Sequence, residues 1–226
     1  MRCTPLILIV AVCGLASCSS DAPLGPSPQT PFTFFVTSTT STTGNLGGIQ
    51  AADAMCQRLA TAVGHGRRVW RAYLSVEADY DNGNRASDAR SRIGQGPWFN
   101  INGDRVAANL TELHDPGQRR GDANVFLDEN GQKINGQWTG SPTPNQHDIL
   151  TGSNADGTLI AGGTCADWTS SSATLRATVG HSDGFGPQQS TAGTLSSWNN
   201  AHVMSNSCAN TAPGGGAGRI YCFARE

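Results

Sequence analysis

Apolar and polar positions follow distinct rhythms along this chain. Leu6 to Leu15 is an almost unbroken apolar run. Phe32-Thr-Phe-Phe-Val-Thr-Ser-Thr-Thr is aromatic and β-branched, which predicts a strand. Asn45-Leu-Gly-Gly then turns the chain. From Ile49 to Val63 the period changes: Ile49, Ala52, Cys56, Leu59, Ala60 and Val63 recur at helical spacing, and Gly64 and Gly66 end the run. Val69 to Val76 predicts a strand carrying Trp70 and Tyr73. Ser87 to Ile93 predicts a short helix, capped by Ser87 and stopped by Gly94. A strand is expected over Leu175 to Val179, and the last one over Arg219-Ile-Tyr-Cys-Phe-Ala. The remainder is short apolar pieces divided by Gly, Asn, Asp and Pro. The sum is an α+β domain, rich in loops, with one main N-terminal helix.

Composition sharpens this picture. Charged residues make up 14% of the 226 residues, well below the roughly 25% of ordinary soluble domains. Gly, Ser, Thr and Asn take their place, so the surface is polar but largely uncharged. The net charge is −2, and the arginines are scattered rather than clustered, which excludes a nucleic-acid partner. Residues 19–31 hold four prolines and almost no large apolar side chain, the composition of an extended tether.

The apolar run near the start is too short to span a bilayer and suits an export leader after Met1-Arg2. It ends in Leu15-Ala16-Ser17-Cys18, which resembles the lipobox of bacterial lipoproteins. The resemblance implies cleavage before Cys18, acylation of that cysteine, and a membrane partner through the lipid. Ser19 after it implies the outer membrane. The expected organisation is therefore a signal peptide over 1–17, a lipidated Cys18 with its tether over 18–31, and one folded domain over 32–226. Cys3 and Cys13 leave with the leader. Cys56, Cys165, Cys208 and Cys222 remain, an even number that reads as two disulfides in an exported domain.

A cysteine in the first helix, two far downstream, and one in a closing strand reading Arg219-Ile-Tyr-Cys-Phe-Ala-Arg-Glu resemble the C-type-lectin-like fold. The opening from Phe34 to Ala60, the Trp138-Thr-Gly and Cys165-Ala-Asp-Trp-Thr segments, and the closing strand are similar to bacterial lipoprotein domains with a lectin-like or endostatin-like fold. That resemblance implies the pairing Cys56–Cys222 with Cys165–Cys208, and an inserted loop over about Ser170 to Thr194. It also implies a ligand face from Trp138 to Asp156 together with Trp198 to Asn200. Asn145, Asp148, Trp198, Asn199 and Asn200 are the candidate ligand-binding residues, because amides suit sugar hydroxyls and the indole offers a stacking surface.

The chain departs from the calcium-dependent lectin pattern. Thr143-Pro-Asn145 and Trp198-Asn-Asn200 stand where the pattern needs acidic ligands, and calcium wants several carboxylates among six to eight oxygens. No resident cofactor or metal is expected, calcium being the one cation the resemblance brings into view. Asp79-Tyr-Asp81-Asn-Gly83 and Asp128-Glu-Asn-Gly131 lack the EF-hand spacing and read as turns. Gly180-His181-Ser182-Asp183-Gly184 matches the nucleophile elbow of serine esterases, but Phe185-Gly-Pro cannot continue as the required helix. The five histidines, His65, His114, His147, His181 and His202, show no ligand spacing and are expected to be ordinary surface or loop residues.

The expected function is recognition of a glycan or protein at the cell envelope by a lipid-anchored, non-enzymatic, lectin-like domain. The alternatives are a structural envelope protein without a specific ligand, or a serine esterase using the Gly-His-Ser-Asp-Gly segment.

Overall fold

In the computed structural model, which describes residues 31–225 apart from 116, 118 and 119, the closing strand is the axis of the fold. Strands β1 (Phe34–Val36), β2 (Val69–Ala72), β3 (Val76–Asp79), β4 (Arg85–Ser87), β5 (Trp98–Phe99), β6 (Arg105–Ala107), β7 (Asp148–Leu150), β8 (Thr178–His181), β9 (His202–Val203) and β10 (Gly216–Arg225) alternate with short helices. The helices are α1 (Ile49–Ala62), α2 (Ala89–Arg92) and α3 (Leu110–Leu113). The main sheet runs β1-β10-β7-β8-β9, with β2 also paired to β10. β10 is antiparallel to β1 and β2 and parallel to β7. The signal peptide, Cys18 and the tether lie outside the described residues, apart from the last position of the tether. Among the described residues no helix is long and apolar enough to cross a membrane.

Strand alternation builds a core on each face of this sheet. Phe35, Trp70, Ile220 and Cys222 enter one cluster with the α1 side chains Ile49, Ala52, Cys56 and Ala60. Phe34, Val36, Tyr221 and Phe223 enter the other, with Tyr73, Trp98, Phe126 and Trp198. Each fully buried side chain of this size contributes about 1.5–3 kcal/mol relative to exposure. The helix expected over Ile49–Val63 forms over Ile49–Ala62. Its apolar stripe also carries Asp53, buried and bonded to the backbone N–H of Ala72 and to Arg92. Arg92 in turn pairs with Asp79, so a buried cation is balanced by two carboxylates.

Two disulfides staple the domain, Cys56–Cys222 and Cys165–Cys208. They close loops of 166 and 43 residues, worth about 5 and 4 kcal/mol in the chain-entropy account.

Several local expectations change. The strand expected over Val69 to Val76 divides into β2 and β3, because Tyr73 still bonds Tyr221 of β10 but Ser75 turns away to bond Thr151. The helix expected from Ser87 starts at Ala89, since Ser87 closes β4 and the Ala89 N–H is held by Ser75 Oγ. Trp138 sits half-buried in a turn, with Lys133 over its ring. Trp168 ends a left-handed turn in which Cys165, Ala166, Asp167 and Trp168 all have φ between 48° and 64°. Such backbone costs about 1–2 kcal/mol per residue. The disulfide at Cys165, the buried Trp168 indole bonded to Ser75 O, and the Asp167 carboxylate bonded to Glu77 and Ala78 N–H groups hold it. Asp79 and Asp128 do form turns, accepting the N–H groups of Asp81 and of Asn130 and Gln132.

Candidate metal centre

The edge of the main sheet gathers a cluster that no spacing announces. β7 and β8 pair so that Asp148 stands directly opposite His181. β8 and β9 pair Val179 with His202. His147 precedes β7 and extends the ladder, its carbonyl accepting the Ser182 N–H. Three strands thus deliver His147, Asp148, His181 and His202 to one point, although 55 residues of chain separate the first from the last.

Asp148 Oδ1 is the focus. The Nε2 atoms of His147 and His181 lie 3.3 Å from it, and that of His202 lies 3.7 Å away. His181 Nε2 and His202 Nε2 are 2.9 Å apart. The His147 and His181 rings stack with centroids 4.2 Å apart. A tetrahedral ion held at 2.0–2.1 Å would set its ligand atoms about 3.3–3.4 Å apart; the ligand atoms of His147, Asp148 and His181 all lie within 4.8 Å of one another, and His202 stands beside that set. His147, Asp148 and His181 are buried, while the His202 side chain keeps 29% exposure.

The other ring nitrogen of each histidine fixes the tautomer. His147 Nδ1 faces Asp183 Oδ1 at 2.7 Å, His181 Nδ1 faces the Leu195 carbonyl at 2.8 Å, and His202 Nδ1 faces the Val203 carbonyl at 2.8 Å. All three partners are acceptors, so each Nδ1 carries a proton, and in the neutral ring each Nε2 presents a lone pair. Three lone pairs and a carboxylate oxygen therefore converge. Asp148 Oδ1 is buried with no hydrogen-bond partner. Two imidazole lone pairs at 2.9 Å repel unless a positive charge, a proton or a metal ion, lies between them.

Electrostatics agree. Burial pushes the Asp148 carboxyl up, but the imidazoles of His181, His202 and His147 outweigh it and hold the group below the usual carboxylate range. Asp183 behaves alike, burial being outweighed by His147 and by the N–H groups of Gln137 and Phe185. Asp148 raises the affinity of His202 for a proton against the opposing effect of burial. The carboxylate–imidazole pair of Asp183 and His147 is the outer arrangement that orients metal-ligating histidines.

Close packing holds the strands in place. A Cβ on Gly180 would lie 1.8 Å from the Trp198 carbonyl oxygen, so β8 can press against Trp198 only with glycine there. A Cβ on Gly136 would lie 2.2 Å from Asp183 Oδ2.

The candidate ligand residues read from the sequence lie around this cluster, in different roles. Asp148 is its centre. Asn145 Oδ1 accepts the His147 N–H and supports that ligand's backbone. Trp198 is buried, its Nε1 bonded to Leu113 O. Asn199 is buried too, its amide donating to Tyr73 Oη, Asn154 O and Ala155 O. Asn200 is half-buried. Asp156 is exposed and bonded to Thr158.

The histidines require a correction. Three of the five residues expected to be ordinary instead converge on Asp148, and His114 is buried against Tyr73 Oη. The one local signal is acidic company next to a strand, His147-Asp148 and His181-Ser-Asp183. The Gly180–Gly184 motif is spent on this cluster: its histidine and aspartate serve the centre, and Ser182 is buried. No protein-family model matches the chain, and no curated protein does either.

Proposed function

We propose that this domain holds one divalent transition-metal ion, zinc by donor chemistry, at His147, Asp148 and His181, with His202 beside them. The carrying observation is the convergence of three Nε2 lone pairs on Asp148 Oδ1. Three imidazoles and one carboxylate suit zinc, copper or nickel and not calcium, whose sites are built from oxygen. The charge fits a divalent ion: the buried carboxylates Asp148 and Asp183 balance it. His147, Asp148 and His181 supply three ligands, and His202 stands beside the fourth position.

The chain as a whole we read as a lipid-anchored envelope lipoprotein with a C-type-lectin-like recognition domain, acylated at Cys18 and facing a glycan or protein. The bridge from the first helix to the last strand and the long loops on either side of β7 support that fold. The metal then takes the place that calcium holds in other loop-based recognition domains, as the pin that holds loops still.

Cobalt titration of the chelator-treated protein tests the reading. One equivalent per chain with the intense visible bands of tetrahedral cobalt is the expected result, together with zinc content near one per chain after dialysis. Equal uptake by the His147→Ala, His181→Ala double variant would overturn it.

A further inference from the structure

A cavity of about 110 Å³ lies on the other side of the segment 193–202 from the metal centre. Among the residues lining it are His114, Arg120, Thr194, Ser196, Trp198 and Asn200. It is smaller than the usual ligand pocket and admits at most a single small ring.

Three consecutive carbonyls of this segment are tied down from the metal side. The His181 Nδ1 group bonds Leu195 O, the Gly121 N–H bonds Ser196 O, and the His181 backbone N–H bonds Ser197 O. The segment then closes on His202 itself, with Ala201 N bonded to Val179 O and Thr194 Oγ1 bonded to Ala201 O. One wall of the cavity is therefore a loop clamped at both ends by residues of the metal centre.

The same segment is tied across the cavity to the opposite side through Asn199. Asn199 Nδ2 donates to Tyr73 Oη, which faces His114 Nε2, while His114 Nδ1 faces Leu110 O. Because Leu110 O is an acceptor, His114 Nδ1 carries the proton, and Nε2 accepts from the tyrosine. Both ring nitrogens are used, so His114 offers the cavity a flat neutral surface beside the Trp198 indole. Arg120 brings the single full charge on the lining. The bond from Gly121 to Ser196 O fixes the backbone beside it. Asp156, next to the lining residue Ala155, accepts from Thr158 through its carboxylate.

We infer that this cavity binds a small planar carboxylate, with Arg120 as its counter-ion, and that the metal centre controls the affinity by fixing the 193–202 segment. A guanidinium fork matches a carboxylate in two parallel bonds, and one positive charge among neutral groups suits a single negative one. The part concerning control rests on the metal reading above; the part concerning the cavity does not.

Benzoate is the probe, followed by calorimetry and by ligand-observed NMR on the whole protein, with benzamide as its neutral isostere. Saturable benzoate binding is expected, weakened at least tenfold by Arg120→Gln and by the change to benzamide. Arg120 is exposed, and the variant should melt with the parent protein. Absence of saturable binding, equal binding of the two probes, or an unaffected Arg120→Gln variant would each overturn the cavity assignment. Chelation should weaken benzoate binding several-fold, with readdition of zinc restoring it. If cobalt titration still reports one site but chelation leaves benzoate affinity unchanged, control by the metal is wrong. If cobalt titration reports no site, the metal reading itself fails, and the Arg120 comparison still decides the cavity.

Discussion

His181 and His202 bring their Nε2 atoms to 2.9 Å although each ring already gives its Nδ1 proton to a backbone carbonyl. Without a cation between them this contact is repulsive. The pair is held because β8 and β9 are hydrogen-bonded neighbours and because the segment joining them is bonded back onto His181. The scaffold, rather than the affinity of the two rings for each other, sets the distance.

Asp148→Asn keeps the shape of the central side chain and removes its charge. Metal affinity should fall by two orders of magnitude or more, read by competition with a chelating dye. Asp183→Asn removes the outer partner of His147, and a loss of about 10–100-fold is expected. An Asp183→Asn variant that binds as the parent does would mean that His147 is oriented by packing alone.

Gly180→Ala places a methyl group where the Trp198 carbonyl already sits. β8 and the segment at Trp198 must separate, which costs about 1–3 kcal/mol as overpacking and moves His181 from its partners. Denaturant unfolding and cobalt binding should both be affected. Unchanged stability would show that the sheet edge yields easily there.

Asn199 and Asn200 are neighbours with different duties. The Asn199 amide fills buried bonds to Tyr73, Asn154 and Ala155, so Asn199→Ala should cost about 1–3 kcal/mol by leaving buried groups unpaired. Asn200 is half-buried at the cavity, and Asn200→Ala should leave the melting temperature nearly unchanged. Equal effects of the two changes would contradict this division.

The chain has three tyrosines, and all three resist ionisation. Burial pushes Tyr73 and Tyr221 well above the ordinary value. Tyr80 is pushed up to about 12, by burial first and then by the Asp53 carboxylate that accepts its hydroxyl. The folded state thus keeps the phenolic proton more firmly than the unfolded state, whose tyrosines ionise near pH 10. This stabilisation is complete below about pH 10 and declines as pH rises toward about 12. Tyrosinate absorbance should be almost absent at pH 10.5 until denaturant is added. A half-complete absorbance change in the folded protein at that pH would refute the burial argument.

How far the sequence foretells this molecule differs from element to element. Helix α1 is legible because a local 3.6-residue period marks its buried face. β10 is legible through its aromatic and β-branched residues, and its alternation sends Tyr221 and Phe223 to one core and Ile220 and Cys222 to the other. The metal cluster is not legible, because its spacing exists across strands and not along the chain. The anchoring of Trp198 and Asn199 to Leu113 and to Tyr73 is hidden for the same reason, since the partners lie far off along the chain. The left-handed turn at Cys165–Trp168 leaves no signature at all, since alanine and tryptophan do not ordinarily take that backbone.

The four candidate ligands sit on β7, on β8, on β9 and just before β7. None of these short segments can assemble the cluster alone, so the centre comes into being only when the strands have paired. On the proposed reading, in which the chain is threaded across a membrane in extended form, no ion travels with it. The ion it would carry is then the one that prevails where folding finishes, and the cargo becomes a record of the compartment. Binding free energy spent at this edge is then folding free energy, and a destination starved of metal would leave the outermost strand, β9, the first to come loose.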